Sequence, residues 1–238
     1  MHFGIIAAGE GSRLAQEGVD LPKPLVDLDG RPMIGRLISL MVQAGAESIS
    51  VIVNEQSPEV KAALEAMTPG VPMRIVVKST PSSMHSFYEL SQTMRGLGRF
   101  VLTTVDTIFR APDFLAYTKA FAEAGADTDG MMGVTSFVDD EKPLYVATDC
   151  DMRITAFTDS PTPETHFISG GIYGLGQNAI DVLDACMDRG VSRMRNYQRA
   201  LVEAGLRLKA YPFGKIVDVD HASDIAGARA FIAGENKT

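Results

Sequence analysis

Short apolar runs alternate with stretches of helical periodicity along the first half of the chain, and this alternation constrains the fold more than any other feature. Residues 3–8 (FGIIAA) form an apolar run bounded by Gly9, as a strand buried on both faces should be. Ile34, Leu37, Ile38, Met41 and Val42 then recur on one helical face, which predicts a helix ending near Gly45. The same reading gives strand 48–53, helix 58–67, strand 73–77, helix 84–95, strand 100–105 and helix 113–124. Strands separated by helices of this length need right-handed crossovers, and so predict a parallel, doubly wound sheet. After residue 129 the texture changes. Segments 130–137, 144–149, 153–158 and 167–175 read as consecutive short strands, joined by turns such as 139–143 (DDEKP) and 159–163 (DSPTP). They predict a small antiparallel insertion or edge. Helices 178–189 and 193–205, strands 207–212 and 216–219, and helix 222–233 complete the expected order.

No repeat, low-complexity tract or Pro/Gly/Ser linker interrupts the 238 residues, so one domain over 1–238 is expected. With 45% hydrophobic and 22% charged residues, the chain can bury a sizeable core, which excludes wholesale disorder. No apolar run approaches the ~20 residues that span a bilayer. The opening MHFGIIAAGEG has neither the basic stretch nor the cleavage site of a signal peptide. Cys150 and Cys186 are too few for a disulfide framework or a four-cysteine zinc site, and a reducing cytoplasm fits best. With 22 basic against 30 acidic residues the net charge is −8, which argues against a nucleic-acid or anionic-membrane binder. A small anionic ligand remains compatible, because a local basic cluster or a metal ion can hold it.

Ala8-Gly9-Glu10-Gly11-Ser12-Arg13-Leu14 follows the first strand directly. A Gly-x-Gly at a strand end lets backbone N–H groups approach a phosphate. The dinucleotide fingerprint fails, since Leu14 stands where its third glycine belongs, and a dehydrogenase is thereby disfavoured. The Walker pattern fails too, because Arg36-Leu37 follows Gly30-Arg-Pro-Met-Ile-Gly35 in place of Lys-Ser/Thr. Arg13 and Lys23 set this loop apart. An arginine fork suits terminal phosphates, a lysine ammonium is a compact charge for an α-phosphate, and Pro22 and Pro24 restrict the backbone around Lys23.

The stretch GIIAAGEGSRL…LPKPLVDLDGRPMI resembles the opening of the nucleotidyltransferases that make nucleotide-activated sugars and cytidylyl-activated small molecules. Their signature is A-A-G-x-G-[ST]-R-L, then K-P-L, then G-[KR]-P-[ML]-I, and all three parts occur here in order. The resemblance implies a three-layer α/β/α Rossmann-like sandwich with a mostly parallel mixed sheet, a nucleotide-binding half over 1–128 and an acceptor-binding half over 129–238. It implies that Ala8, Gly9, Gly11 and Ser12 line the nucleotide, that Arg13 meets the β- and γ-phosphates, and that Lys23 meets the α-phosphate.

A nucleoside triphosphate needs a divalent cation, and hard Mg²⁺ takes carboxylates, sought at strand C-termini where open α/β sheets bind ligands. Asp106 ends the run FVLTTV and also matches the family's metal-binding Asp. The second carboxylate should come from Val217-Asp218-Val219-Asp220, which resembles the family's late acidic segment; strand alternation points Asp218 and Asp220 to one face, and both are named. Asp224 reads as support for the last helix. Residues 78–86 occupy the family's base-reading loop, with Ser82 and Ser83 as candidates and a helix N-cap as the bland reading. Gly170 and Gly171 sit in a segment resembling the family's acceptor-side N-A-G-I-Y strand, where glycine allows close approach of a ligand or marks a β-bulge. Ser160 stands where a sugar-phosphate-gripping lysine would be, and Lys215 is either a replacement charge or a solvated turn lysine. The expectation is an Mg²⁺-dependent enzyme that transfers NMP from an NTP to a small phosphorylated acceptor such as a sugar phosphate. The alternatives are cytidylyl or guanylyl transfer to phosphocholine, an acidic sugar or a pterin cofactor, and a nucleotide sensor without turnover.

Overall fold

The computed structural model describes residues 1–138 and 142–235, so the turn expected at 139–143 lies partly outside the described residues. The nucleotide-loop region comprises β1 (His2–Ala7), α1 (Ser12–Gln16), a 3-10 turn (Lys23–Leu25), β2 (Asp27–Leu28), β3 (Arg31–Pro32) and α2 (Met33–Gln43). Then come β4 (Ser48–Val53), α3 (Pro58–Glu65), β5 (Met73–Val77), α4 (Ser83–Ser91), β6 (Phe100–Thr104), β7 (Thr107–Ile108) and α5 (Ala111–Glu123). The second half adds β8 (Gly130–Thr135), β9 (Tyr145–Thr148), β10 (Ile154–Thr158) and β11 (Thr165–Leu175). It closes with α6 (Gln177–Asp188), α7 (Met194–Glu203), β12 (Leu208–Phe213), β13 (Val217–Asp218) and α8 (Ala222–Glu235).

One nine-stranded sheet runs through both halves of the described chain. β1 lies between β4 and β6, parallel to both, and β5 extends the sheet in parallel beyond β4. On the other side β11 pairs antiparallel with β6 and with β8, and β12 pairs parallel with β8. β11 thus runs against β6 and β8, the strands on either side of it in the main part of the sheet. Its first residues leave β6 and pair with β9, which carries β10, and these two form the antiparallel insertion.

Alternation along β1 explains the layers. Phe3, Ile5 and Ala7 pack with the helices α2, α3 and α5, whereas Ile6 points into a second cluster with α4, α6 and α7. The result is a three-layer α/β/α sandwich around a mostly parallel mixed sheet. A third apolar cluster, with Leu14, Val26, Leu28, Val219 and Ala228, seats α8 beneath the phosphate-type loop. Among the described residues no helix is long and apolar enough to cross a membrane.

The starts of β8 and β12 are tied by Asp129 and Arg207. The Arg207 Nε and Nη2 donate to Asp129 at 2.8 and 3.0 Å, and its backbone N–H at 2.9 Å. The guanidinium, then the backbone N–H, hold the Asp129 carboxyl down from 3.8 to about 2. A depressed folded-state value contributes stability that is present above the unfolded value and lost as pH falls through the folded one. Asp129→Asn is therefore expected to cost on the order of 1–2 kcal/mol at neutral pH, with the gap to wild type closing as pH falls towards about 2. Urea titrations of both proteins across that range check it; a constant gap would refute the assignment.

Candidate active site

The site grows from the C-terminal ends of β1 and β6. The Ala8 carbonyl, just past β1, accepts from Asn54 Nδ2 at 3.1 Å, and Asn54 in turn accepts from Gln56 N–H and the Ser79 hydroxyl. This buried amide fixes where the loop departs. Gly11 adopts φ 61°, and a Cβ there would lie 3.1 Å from Lys23 Cβ. Glycine is needed because the loop turns left-handed while pressed against the Lys23 segment.

Lys23 leads the 3-10 turn with Pro22 and Pro24 beside it, and its side chain is 10% exposed. Its Nζ donates to Asp106 Oδ2 and to Asp220 Oδ1, each at 2.6 Å. Burial opposes the charge, but the Asp106 and Asp220 carboxylates outweigh it and hold the ammonium above the ordinary lysine range. Arg13, on α1, donates to the other Asp220 oxygen at 2.9 Å.

Two residues far apart in sequence meet here for a local reason. Asp106 stands two residues past the end of β6, β7 pairs antiparallel with β13, and the Val219 N–H donates to the Asp106 carbonyl at 3.1 Å. That short ribbon sets Asp220 opposite Asp106. Asp224 Oδ2 accepts the N–H groups of Asp220 and His221 at 2.9 and 2.7 Å, so it supports the start of α8 as expected and also fixes the Asp220 backbone. Asp218 lies two residues back and lines the cavity on the other side of Asp106 and Asp220, while Lys23 bonds Asp106 and Asp220.

Three cavities share these residues and join as one cleft. The central one, about 340 Å³, is lined by Gly9, Gly11, Arg13, Lys23, Asp106 and Asp220. The second, about 350 Å³, lies between Ala8–Ser12 and Thr80–Ser86 and includes Ser82 and Ser83. The third, about 340 Å³, opens on the other side of Asp106 and Asp220 and is walled by Gly171, Ser169, Arg193 and Gln198. Ser83 lines all three. Ser82 stands at the N-cap of α4, yet its side chain makes no cap bond. It pairs with His85 Nδ1 at 2.8 Å and accepts from the Arg193 N–H at 3.2 Å, which ties the second cavity's wall to the third's.

Two sequence-predicted acceptor residues are placed differently. Lys215 is not on the cleft: its ammonium sits 4.1 Å from the Phe137 ring centroid and 5.6 Å from that of Phe231. The rings' negative faces satisfy that cation away from any acceptor. Gly170 faces protein, since a Cβ there would meet Ile216 Cδ1 at 2.2 Å. Gly171 does line the third cavity, but its missing side chain answers to the fold. It has φ 71° where the β11–β8 register shifts, and a Cβ would meet Thr107 Oγ1 at 2.5 Å and Thr104 Oγ1 at 2.9 Å. Gly171→Ala is expected to destabilise by about 1–3 kcal/mol through strain and overlap; thermal unfolding measures it, and an unchanged midpoint would exclude that role.

The wall of the third cavity was not singled out from the sequence. Arg193 is the N-cap of α7, and Arg195 and Gln198 lie in its first turns. A signal existed at Asp159, beside Ser160: it pairs with Arg195 at 2.6 Å and Arg199 at 2.7 Å, so the acidic neighbour of the missing lysine position brings arginine to the cavity.

Among the described residues no group of three metal-ligating side chains occurs. Asp106 and Asp220 nevertheless converge on one cation, the Lys23 ammonium. Magnesium characteristically takes one or two carboxylates and completes its shell with water and phosphate, so this donor set fits it.

The fold matches that of the inositol-1-phosphate CTP transferase from T. maritima, with a TM-score of 0.78 over 97% of both chains at 18% identity. The chain is also similar to the 2-aminoethylphosphonate cytidylyltransferase of Lancefieldella rimae, 49% identical over 49 residues, which is 21% of this chain and 20% of that protein. A third relative is the CMP-5'-(3-aminopropyl)phosphonate synthase of Streptomyces rubellomurinus, 24% identical over 155 residues, covering 58% of this chain and 24% of that protein. The matched stretches thus span about a quarter or less of these curated relatives. Residues 4–164, more than half of the chain, match the MobA-like NTP transferase domain, with the phosphate-type loop, Lys23 and Asp106 inside the match, and the chain belongs to that family.

Proposed function

We propose that the chain is an Mg²⁺-dependent nucleotidyltransferase that moves NMP from an NTP to an oxyanion of a small phosphorylated or phosphonate acceptor, with release of pyrophosphate. The observation that carries this reading is the position of the Asp106–Lys23–Asp220 cluster at the waist of one cleft, with the glycine loop on one side and the arginine-bearing cavity on the other.

The chemistry follows from that layout. An acceptor oxygen attacks the α-phosphorus in line; the new O–P bond forms as the bond to the β-phosphate oxygen breaks, and its electron pair leaves on pyrophosphate. The acceptor is already an anionic nucleophile, so positioning and charge stabilisation suffice without a strong base. Lys23 meets charge on the α-phosphate, Arg13 grips the leaving pyrophosphate, and the Ala8–Ser12 loop with Ser82 and Ser83 encloses the nucleoside. Asp106 and Asp220 would hold the magnesium, which when bound neutralises phosphate charge; the Lys23 contact favours Asp220 over Asp218 for this.

The relatives' names speak of cytidylyl or CMP transfer, which supports CTP as the first donor to try. Pyrophosphate release with Mg²⁺ is measured for four NTPs against sugar 1-phosphates, phosphocholine and alkylphosphonates. One productive donor–acceptor pair is expected. Nucleotide binding with no release from any pair would overturn transfer and leave a sensor.

A further inference from the structure

The far wall of the third cavity is built around one buried amide. Gln198, on α7, is 3% exposed, and its Oε1 accepts the Ser169 hydroxyl at 2.8 Å. The Ser169 hydroxyl donates to the amide oxygen, which sets the amide's orientation. Its oxygen faces Ser169, and its NH₂ is what the side chain offers the cavity it lines. That NH₂ has no hydrogen-bond partner among the described residues and is open to the cavity, where the oxygen of a ligand can accept from it.

A second donor stands on the same wall. Arg193 lines the cavity at φ 71°, a region that L side chains rarely adopt, with its N–H held by the Ser82 hydroxyl. Its guanidinium makes no ion pair or hydrogen bond among the described residues. The carboxylates of the cavity are committed: Asp106 and Asp220 to Lys23, and Asp218 to contacts within the protein. What remains for the distal part of an acceptor is an NH₂ donor and a positive charge.

Resting on the transfer reading above, we infer that the acceptor carries a second oxyanion, of the carboxylate class, beyond its reacting phosphorus group. Gln198 Nε2 and the Arg193 guanidinium receive it. The acceptor then differs from the amino-bearing phosphonates in the names of two relatives.

Calorimetric binding tests this independently of turnover. The probes are 3-phosphonopropanoate and 2-aminoethylphosphonate, which share a phosphonate and a two-carbon spacer and differ in the distal charge, with glucose 1-phosphate as the uncharged-tail control. Each is titrated into the full chain with Mg²⁺, with and without each of four α,β-methylene NTPs. The carboxylate probe is expected to bind at least about tenfold tighter than either other probe. Gln198→Glu should invert the preference between the two phosphonates, and Arg193→Gln should shrink it. Nucleotide titration of Gln198→Glu checks that the buried substitution has left the fold intact. Equal binding, tighter binding of the amine or the sugar phosphate, no binding of the carboxylate probe, or a ratio unmoved in both variants each overturns the inference. The expected preference without pyrophosphate release from any pair would instead overturn transfer and leave the oxyanion pocket standing.

Discussion

Asp106→Asn is expected to slow pyrophosphate release by about three orders of magnitude, the scale of several kcal/mol of lost charge stabilisation at 1.36 kcal/mol per decade. The substitution keeps the shape of the side chain and removes one of the two carboxylates that share the Lys23 ammonium. Nucleotide binding through the glycine loop should persist, since Asp106 touches neither Gly11 nor Ser12 in the described contacts. A kinetic signature separates lost metal affinity from misfolding: the rate of the variant should keep rising with magnesium at concentrations that saturate wild type. Turnover within tenfold of wild type would remove Asp106 from the metal site.

Lys23→Ala is expected to cost about two orders of magnitude in turnover or more, the scale of a lost donor to a developing oxyanion. It also leaves Asp106 and Asp220 facing each other with the cation between them gone, so magnesium should raise the melting temperature of this variant more than that of wild type. Lys23→Arg should not rescue, because a planar fork does not fit a slot that leaves the side chain 10% exposed and places two oxygens around one nitrogen. Because the folded-state pKa of Lys23 is raised, its contribution is fully present below the ordinary lysine value and is lost only as pH rises through the higher one. Wild-type turnover should therefore show no alkaline decline from Lys23 below about pH 10. Near-full turnover of Lys23→Ala would end its assigned role.

Much of the fold could be read from the first half of the chain, where each strand is a short apolar run and each helix has its own period. The helix expected over 84–95 stops at Ser91, because a turn-rich stretch follows in which Gly96 and Gly98 adopt φ 75° and 77°. The hairpin of β2 and β3 was missed although Asp29-Gly30 is a hairpin turn pair; strands of two residues leave no alternation to detect. In the site, Lys23, Asp106 and Asp220 were legible because each stands beside its own local motif. Lys215 and Gly170 were misplaced for the opposite reason: Phe137, Phe231 and Ile216 decide their surroundings, and no periodicity couples those residues to them. Arg195 was legible only through Asp159, which lies in another strand's loop and pairs with it and with Arg199.

The reversed strand β11 has a consequence for how the protein is made. β6 reaches its last residue at Thr104, but the strand that covers its open edge ends only at Leu175, roughly seventy residues later. At about 5–20 residues per second on the ribosome, that edge waits for several seconds. During that interval the nascent chain presents Phe100, Val101 and Leu102, apolar residues with unpaired backbone groups on one side, a template for strand addition by other chains. The strand that joins the two halves of the cleft is therefore also the step at which synthesis is most exposed to aggregation, and chaperone dependence should fall away once β11 has emerged.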